Sequence, residues 1–354
     1  MASSRKSGPT GARAEGARRG WRRVEAMRAS LYAEVTARIV AELEEGRFPW
    51  VQPWSAAAAY AGLPRNAVTG RTYSGINVLI LWGAAIARGY SGQGWLTFRQ
   101  ALAAGGGVRK GERGTTVCYA DRFVPRETER SGLRGSADPS NGREPPEAER
   151  ERAGTGGGEP GSVAFLKRFT VFNCDQIDWG EGMPPRFAVD SPPLPEREIV
   201  PIGEALIAAT GADFRIGGDC AFYSPRHDFV QVPPQPAFRH QIDYYRTATH
   251  ELGHWAGHRS RLGREQSGPF GSALYAREEL VAELSAAFVC AHLGIVPSVR
   301  HADYIGSWLA VLRADERAIF KAASLASKAA GYLLAFLDAP AAQAAMAADF
   351  EMAA

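Results

Sequence analysis

Apolar positions recur at helical spacing over residues 32–45, where Val35, Ile39, Val40 and Leu43 share a face and Gly46 and Pro49 close the segment. The same period predicts helices over 78–88 and 202–210, and one or two Ala-rich helices over 304–336. A further helix ends near Leu293, with Gly294 as its C-cap and Pro297 just beyond, and residues 238–249 read as the first turns of another. Alternation with a period of two predicts strands at 115–119, 163–173 and 228–233. Phe165, Phe169, Val171 and Phe172 then allow the second of these to pair with the first.

Where the pattern fails, it marks boundaries. Residues 126–162 fill with Glu, Arg, Gly, Ser and Pro, which bury too little apolar surface to offset chain entropy, so a disordered insertion is expected there. Residues 180–195 are rich in Pro and Gly and read as a linker. Residues 1–22 are basic and Gly-rich without an apolar core, which predicts a disordered tail rather than a secretory signal or anchor. The expected organisation is α+β, with one domain over 23–185 and a second over 193–345.

Composition adds that 354 residues with 45% hydrophobic content can bury a sizeable core. No apolar run is long enough to span a bilayer, so no membrane role is expected. Cys118, Cys174, Cys220 and Cys290 show no paired spacing, which argues against thiolate zinc and a disulfide framework and suits a reducing cytoplasm. The net charge of +3 hides an asymmetry. Residues 1–125 hold 18 Lys/Arg against 8 Asp/Glu, and the remainder holds 23 against 30. All seven histidines fall between His227 and His301, so basic surface and imidazole chemistry belong to different parts of the chain. A polyanion-binding part joined to a catalytic part would show this split.

The candidate chemistry centres on His250-Glu251-Leu252-Gly253-His254. Imidazoles at i and i+4 of a helix share a face and can hold one divalent ion, with Glu251 beside them as general base. Zinc is the expected ion, although another divalent transition ion is possible. Catalytic zinc sites take three protein ligands, and Glu279 and Glu283, one turn apart in an apolar helix, are the candidates for the third. Glu279 is assigned as ligand and Glu283 as the outer carboxylate that orients an imidazole, with the reverse left open. His258 continues the i+4 series and Gly257 matches the metzincin glycine, but Ser260 stands where that pattern needs histidine. His258 is therefore an alternative ligand or a substrate-side residue, and Tyr223 or His258 is positioned to stabilise an oxyanion. Phe229 to Val232 reads as an edge strand that could pair with an extended peptide.

In the basic part, Phe48-Pro49-Trp50 and Pro53-Trp54 place aromatics beside Arg47, where they can stack bases or plug a core. Arg65, Asn66, Arg71, Tyr73 and Asn77 share a Gly-punctuated loop and offer donors to phosphates and base edges. Arg99, Arg109, Lys110 and Arg113 flank a run of glycines that lacks the Gly-Lys-Ser/Thr of a P-loop. Aromatics, arginines and glycines without a recognition helix suit single-stranded DNA better than duplex.

Eight motifs in order carry a resemblance: Phe48-Pro49-Trp50, Leu63-Pro64-Arg65-Asn66, Tyr73-Ser74-Gly75-Ile76-Asn77, Trp95-Leu96-Thr97-Phe98-Arg99-Gln100, Val108-Arg109-Lys110-Gly111-Glu112, Phe169-Thr170-Val171-Phe172-Asn173, His250 to His254 and Glu278 to Glu283. Over about residues 30–340 the chain resembles the ArdC-type antirestriction proteins of conjugative plasmids, and related segments occur in TraC-type plasmid primases. The resemblance implies a small N-terminal single-stranded-DNA-binding α+β domain followed by a zincin-like metallopeptidase domain, and protection of transferred DNA from host restriction. It also implies His250 and His254 as metal ligands, Glu251 as the catalytic carboxylate and a helix-borne Glu completing the site. Two other readings stand beside it: a non-enzymatic single-stranded-DNA-binding protector with a structural metal, and a protease docked to nucleoprotein.

Overall fold

The computed structural model describes residues 31–51, 62–123, 163–180, 199–296 and 304–338. The expected tail at 1–22, Trp54, the insertion at 126–162 and most of the expected linker lie outside the described residues. Among the described residues, those up to Val117 and from Thr170 onward form one compact unit, and those within Cys118–Phe169 a second.

The basic part begins with α1, residues 31–44, which buries Leu31, Val35, Ile39 and Leu43, the face its spacing predicts. The elements β1 (Arg65–Asn66), α2 (Ile76–Arg88), β2 (Gly94–Leu96), α3 (Phe98–Ala103), β3 (Gly107–Val108), β4 (Thr115–Phe123), β5 (Val163–Asn173) and β6 (Ile177–Asp178) follow. Four strands pair in the order β1-β2-β5-β4, so the strands before and after the expected insertion are neighbours, as the alternation suggested. Trp95, Val117 and Val171 pack one side of this sheet against Leu81, Ala84 and Ala85 of α2. Leu96 packs with Ala67, Ala101, Cys174 and Ile177 in a second core. There β3 and β6 form an antiparallel ribbon, with Val108 opposite Ile177. In the unit Cys118–Phe169, Tyr119 and Phe169 lie edge to face with ring centroids 6.3 Å apart, both exposed.

The rear part comprises α4 (Pro201–Ala209), β7 (Asp213–Ile216), β8 (Phe222–Ser224), β9 (Phe229–Val232), α5 (Ile242–Ala256), α6 (Ala273–His292), α7 (Ile305–Ala314) and α8 (Ala318–Leu334). Proline at the start of α4 gives up no intrahelical hydrogen bond. The helix carrying His250 starts at Ile242, later than the periodicity implied, because a 3-10 turn at Gln235–Ala237 and an extended Phe238 come before it. The strand order is β7-β9-β8, with β7 parallel and β8 antiparallel to β9. This corrects the edge-strand expectation for Phe229 to Val232: β9 is paired on both sides, because the short flanking strands, which gave weak alternation of their own, dock on it. Helix α5 packs against β8, β9, α6 and α8, which together fix its roll.

In α6 every residue from Glu278 to Ala291 is buried, so the helix has no solvated face over that stretch. Gly294, just past its end, takes φ +73°, and Ile295 N donates to Cys290 O to close the turn. The front helices pack on this rear bundle. Trp82 of α2 meets Phe288 edge to face at 5.7 Å, Trp50 meets Trp308 at 5.9 Å, and Gly75 N donates to Ser327 Oγ at 2.8 Å. The cause is legible in α2, where Trp82 is buried yet stands outside the cluster that Leu81, Ala84 and Ala85 form with the sheet. Among the described residues no helix is long and apolar enough to cross a membrane.

Candidate functional site

His250 and His254 lie one turn apart on α5, with ring centroids 4.9 Å apart. Both present Nε2 to the same carboxylate: His250 Nε2 is 3.5 Å from Glu279 Oε2, and His254 Nε2 is 3.5 Å from Glu279 Oε1. One donor atom from each of His250, His254 and Glu279 falls within a sphere of contacts no longer than 4.8 Å. The opposite nitrogens meet two other carboxylates. His250 Nδ1 is 3.5 Å from Glu283 Oε2, and His254 Nδ1 is 3.1 Å from Glu278 Oε1. Helix α6 thus lays three carboxylates against two imidazoles. Glu251 is buried beside them on α5.

The electrostatics follow from that crowding. Burial alone would lower the His250 pKa, but the carboxylates of Glu279, Glu283 and Glu251 override it and push the imidazole up to about 10. Burial would raise Glu278 and Glu279, yet His254 and Arg264 pull Glu278 down to about 2, and His250 and His254 do the same to Glu279. Tyr275, one turn before Glu279, shares hydrogen bonds with Glu279 and with the Tyr304 hydroxyl at 3.1 Å, and burial raises its pKa well above the ordinary tyrosine value.

The residues fit a divalent cation. Two imidazole nitrogens and a carboxylate oxygen are a donor set that zinc and similar ions take in sites with an open position. Glu251, Glu278, Glu279 and Glu283 are all buried. Arg264 pairs with Glu278, whereas Glu279 and Glu283 face imidazoles, and Glu283 Oε1 has no hydrogen-bond partner among the described residues. Buried negative charge of this kind is costly without a cation to offset it.

Two sequence-predicted residues are engaged elsewhere. The Tyr223 hydroxyl donates to Asp228 Oδ1 at 2.9 Å and receives Arg261 Nη2 at 3.3 Å, which ties it to the β8–β9 turn. His258 Nδ1 lies 2.7 Å from Ser260 Oγ and 3.8 Å from Asp228 Oδ2, and His258 is not part of the group that His250, His254 and Glu279 form. The i+4 series fails because α5 ends at Ala256, which takes His258 off the helical face. Glu278, Arg264 and Gln266 were missed. The available signal was the apolar run on every side of 278–291, which leaves no solvated face for Glu278.

In the basic part, Arg71, Arg99, Arg109, Lys110 and Arg113 are exposed, and Arg65, Tyr73 and Asn77 are half-buried. Burial pushes the Tyr73 phenol up to about 12. Asn66 spends its side chain on structure: Oδ1 accepts from Val68 N and Thr69 N, and Nδ2 donates to Gln100 Oε1. Trp50 is 1% exposed against Trp308, which corrects its reading as a stacking surface; of the two roles its motif allowed, the core plug fits. Phe98 is 51% exposed beside Arg99, with its ring edge to face with Phe172 at 6.5 Å.

Comparison with known proteins gives two adjoining matches. Residues 29–172 match the N-terminal domain of anti-restriction factor ArdC, and residues 201–325 match the zincin-like metallopeptidase family. The chain is 39% identical over 305 residues to the uncharacterized protein y4eC of Sinorhizobium fredii, covering 86% of this chain and 91% of that one. It is 37% identical to DNA primase TraC of Escherichia coli, of which it spans 27%. The crystal structure of antirestriction protein ArdC from plasmid R388, metal-free, is similar with a TM-score of 0.67 at 37% identity, covering 86% of this chain and 97% of that one. The Mn(II)-bound structure of the same protein gives 0.64. With a fold, two domain matches and near-complete coverage in agreement, the chain belongs to the ArdC family of antirestriction proteins.

Proposed function

We propose that this chain protects entering plasmid DNA from host restriction in the cytoplasm, through a single-stranded-DNA-binding part over 23–185 and a zinc-dependent peptidase-type site over 193–345. The observation that carries the reading is the convergence of His250, His254 and Glu279 within 4.8 Å, with Glu251 buried on the same helix. His250, His254 and Glu279 would hold the ion, while Glu283 and Glu278 orient the imidazoles from their Nδ1 sides. The R388 relative that takes Mn(II) supports a divalent ion here, and the imidazole-rich donor set favours zinc.

A divalent ion held by His250, His254 and Glu279 would supply Lewis acidity toward a carbonyl and toward water. Glu251 then accepts the proton of the attacking water and returns it to the leaving amine, the two transfers a peptide hydrolase needs. The Tyr275 hydroxyl fixes the orientation of Glu279. In the basic part, Arg71, Arg99, Arg109, Lys110 and Arg113 offer exposed charge to phosphates, and the four free cysteines suit a reducing compartment.

Glu251→Ala tests the catalytic half. Plasmid protection is measured in a restricting host while the ion content of the purified variant is measured in parallel. Protection lost with the ion retained is expected. Full protection with the ion retained would exclude hydrolysis as its basis and leave a DNA-binding protector.

A further inference from the structure

The loop after α5 folds back over the site and carries an unusual burial. The Arg264 side chain is only 4% exposed. Its Nε donates to Glu278 Oε2 at 3.0 Å, and its Nη2 donates to Glu278 Oε1 and to Gly253 O, each at 2.6 Å. Gln266 Nε2 donates to Glu278 Oε1 at 3.0 Å and to His254 O at 2.7 Å. The loop is pinned to the helix end, with Arg264 N donating to Gly257 O at 2.8 Å. Arginine stays charged in proteins, so a carboxylate gripped on both oxygens by its fork is ionised and can only accept.

That fixes the proton on His254. Glu278 Oε1 lies 3.1 Å from His254 Nδ1, and an acceptor there requires the ring to carry hydrogen on Nδ1. A neutral imidazole has one such hydrogen, so Nε2 keeps its lone pair and faces Glu279. Gly257 owes its identity to the same device. A Cβ on it would stand 2.6 Å from Arg264 Cζ and from Gln266 Nε2, although its own backbone is ordinary helical at φ −76°. The glycine admits the guanidinium.

We propose that Arg264, Gln266 and Glu278 form a positioning clamp that sets the tautomer and angle of His254, with Gly257 conserving the space the clamp needs. The proposal rests on the reading of His254 as an ion ligand. None of the clamp residues touches the substrate; each acts through His254.

The test uses the full chain and Mn(II) or Zn(II) alone, with affinity read by calorimetry on variants whose fold is checked by circular dichroism. Arg264→Met and Gly257→Ala are each expected to weaken ion binding by about 10–100-fold, the usual effect of losing an outer partner of a metal-bound histidine. Arg264→Met combined with Glu278→Gln removes the charge left behind in the single variant and is expected to fold while binding as weakly. The tautomer is read independently, from the ring nitrogen shifts of ion-free wild type above the ordinary histidine pKa, with His254→Asn for assignment. The expected result is hydrogen on Nδ1 of His254 in wild type and a mixed population in the double variant. Hydrogen on Nε2 in wild type, or unchanged affinity in Arg264→Met and Gly257→Ala, would overturn the clamp. Wild type that binds neither ion would instead sink the metal reading, and the tautomer measurement would still decide the clamp.

Discussion

Gly253→Ala, inside the His-Glu-Leu-Gly-His run, separates a tight helix contact from simple helix propensity. A methyl at Gly253 would meet Ser285 Cβ at 3.3 Å and the Ala282 O and Cα atoms at 3.4 and 3.5 Å. Two of these are backbone atoms of α6 and the third is a Cβ, so no flexible side-chain end can swing aside. On an open helix face, replacing Gly by Ala would stabilise by about 1 kcal/mol. Forcing a methyl into a packed interface costs about 1–3 kcal/mol. The difference is a net loss of up to about 2 kcal/mol, and on the order of 2–4 °C in Tm for each of those kcal/mol. Because Ala282 and Ser285 flank Glu283 on α6, a retreat of that helix also draws Glu279 and Glu283 away from the imidazoles that now lie 3.5 Å from them. Thermal unfolding without ion and calorimetry with Zn(II) read the two effects. A raised Tm with undiminished ion affinity would show that α5 and α6 are not held at contact through this glycine, and the geometric argument for the site would fail.

In the ion-free protein, His250 is raised from 6.5 to about 10, so its contribution to stability is complete below about 6.5 and is lost as the pH climbs through about 10. Ion-free Tm should therefore fall across that window while Zn(II) affinity rises, because the ion displaces the proton; a flat ion-free Tm would refute the assignment. Trp50→Ala should cost about 3–5 kcal/mol in denaturant unfolding, as for a large aromatic lost from a core, and leave the single-strand affinity of the folded fraction intact. Specific loss of DNA affinity with normal stability would restore Trp50 to the DNA surface. Neutralising Arg71, Arg99, Arg109, Lys110 and Arg113 together should flatten the dependence of log affinity on log salt by about 0.7 for each phosphate contact removed. An unchanged slope in fluorescence titrations would move the DNA path elsewhere.

Much of this is legible in the sequence. The 3.6 and 2.0 periods located α1, α2, α4 and β5, and in α1 the buried face is the one the spacing marks. The i+4 imidazoles followed from helix geometry alone, and the pairing of β4 with β5 from two alternating runs. What escaped were interactions between segments distant in sequence. Trp50 reads identically whether it meets a base or Trp308, and only the bundle behind it decides. The edge position assigned to β9 failed because β7 and β8, at four and three residues, are too short for alternation to speak. Glu278 has no role that its own segment reveals, because its buried partner Arg264 comes from a loop 14 residues earlier in the chain. The front and rear parts share packing because α2 is apolar on more than one side, as the contact of Trp82 with Phe288 shows.

The most direct test of the account is ion stoichiometry in a pair of variants, measured by calorimetry and elemental analysis on purified full chain. The account predicts one equivalent of Zn(II) in wild type, none in Glu279→Ala, and one bound about 10–100-fold more weakly in Glu283→Gln. Wild type without a bound ion, or an ion that survives Glu279→Ala and is lost from Glu283→Gln, would contradict it.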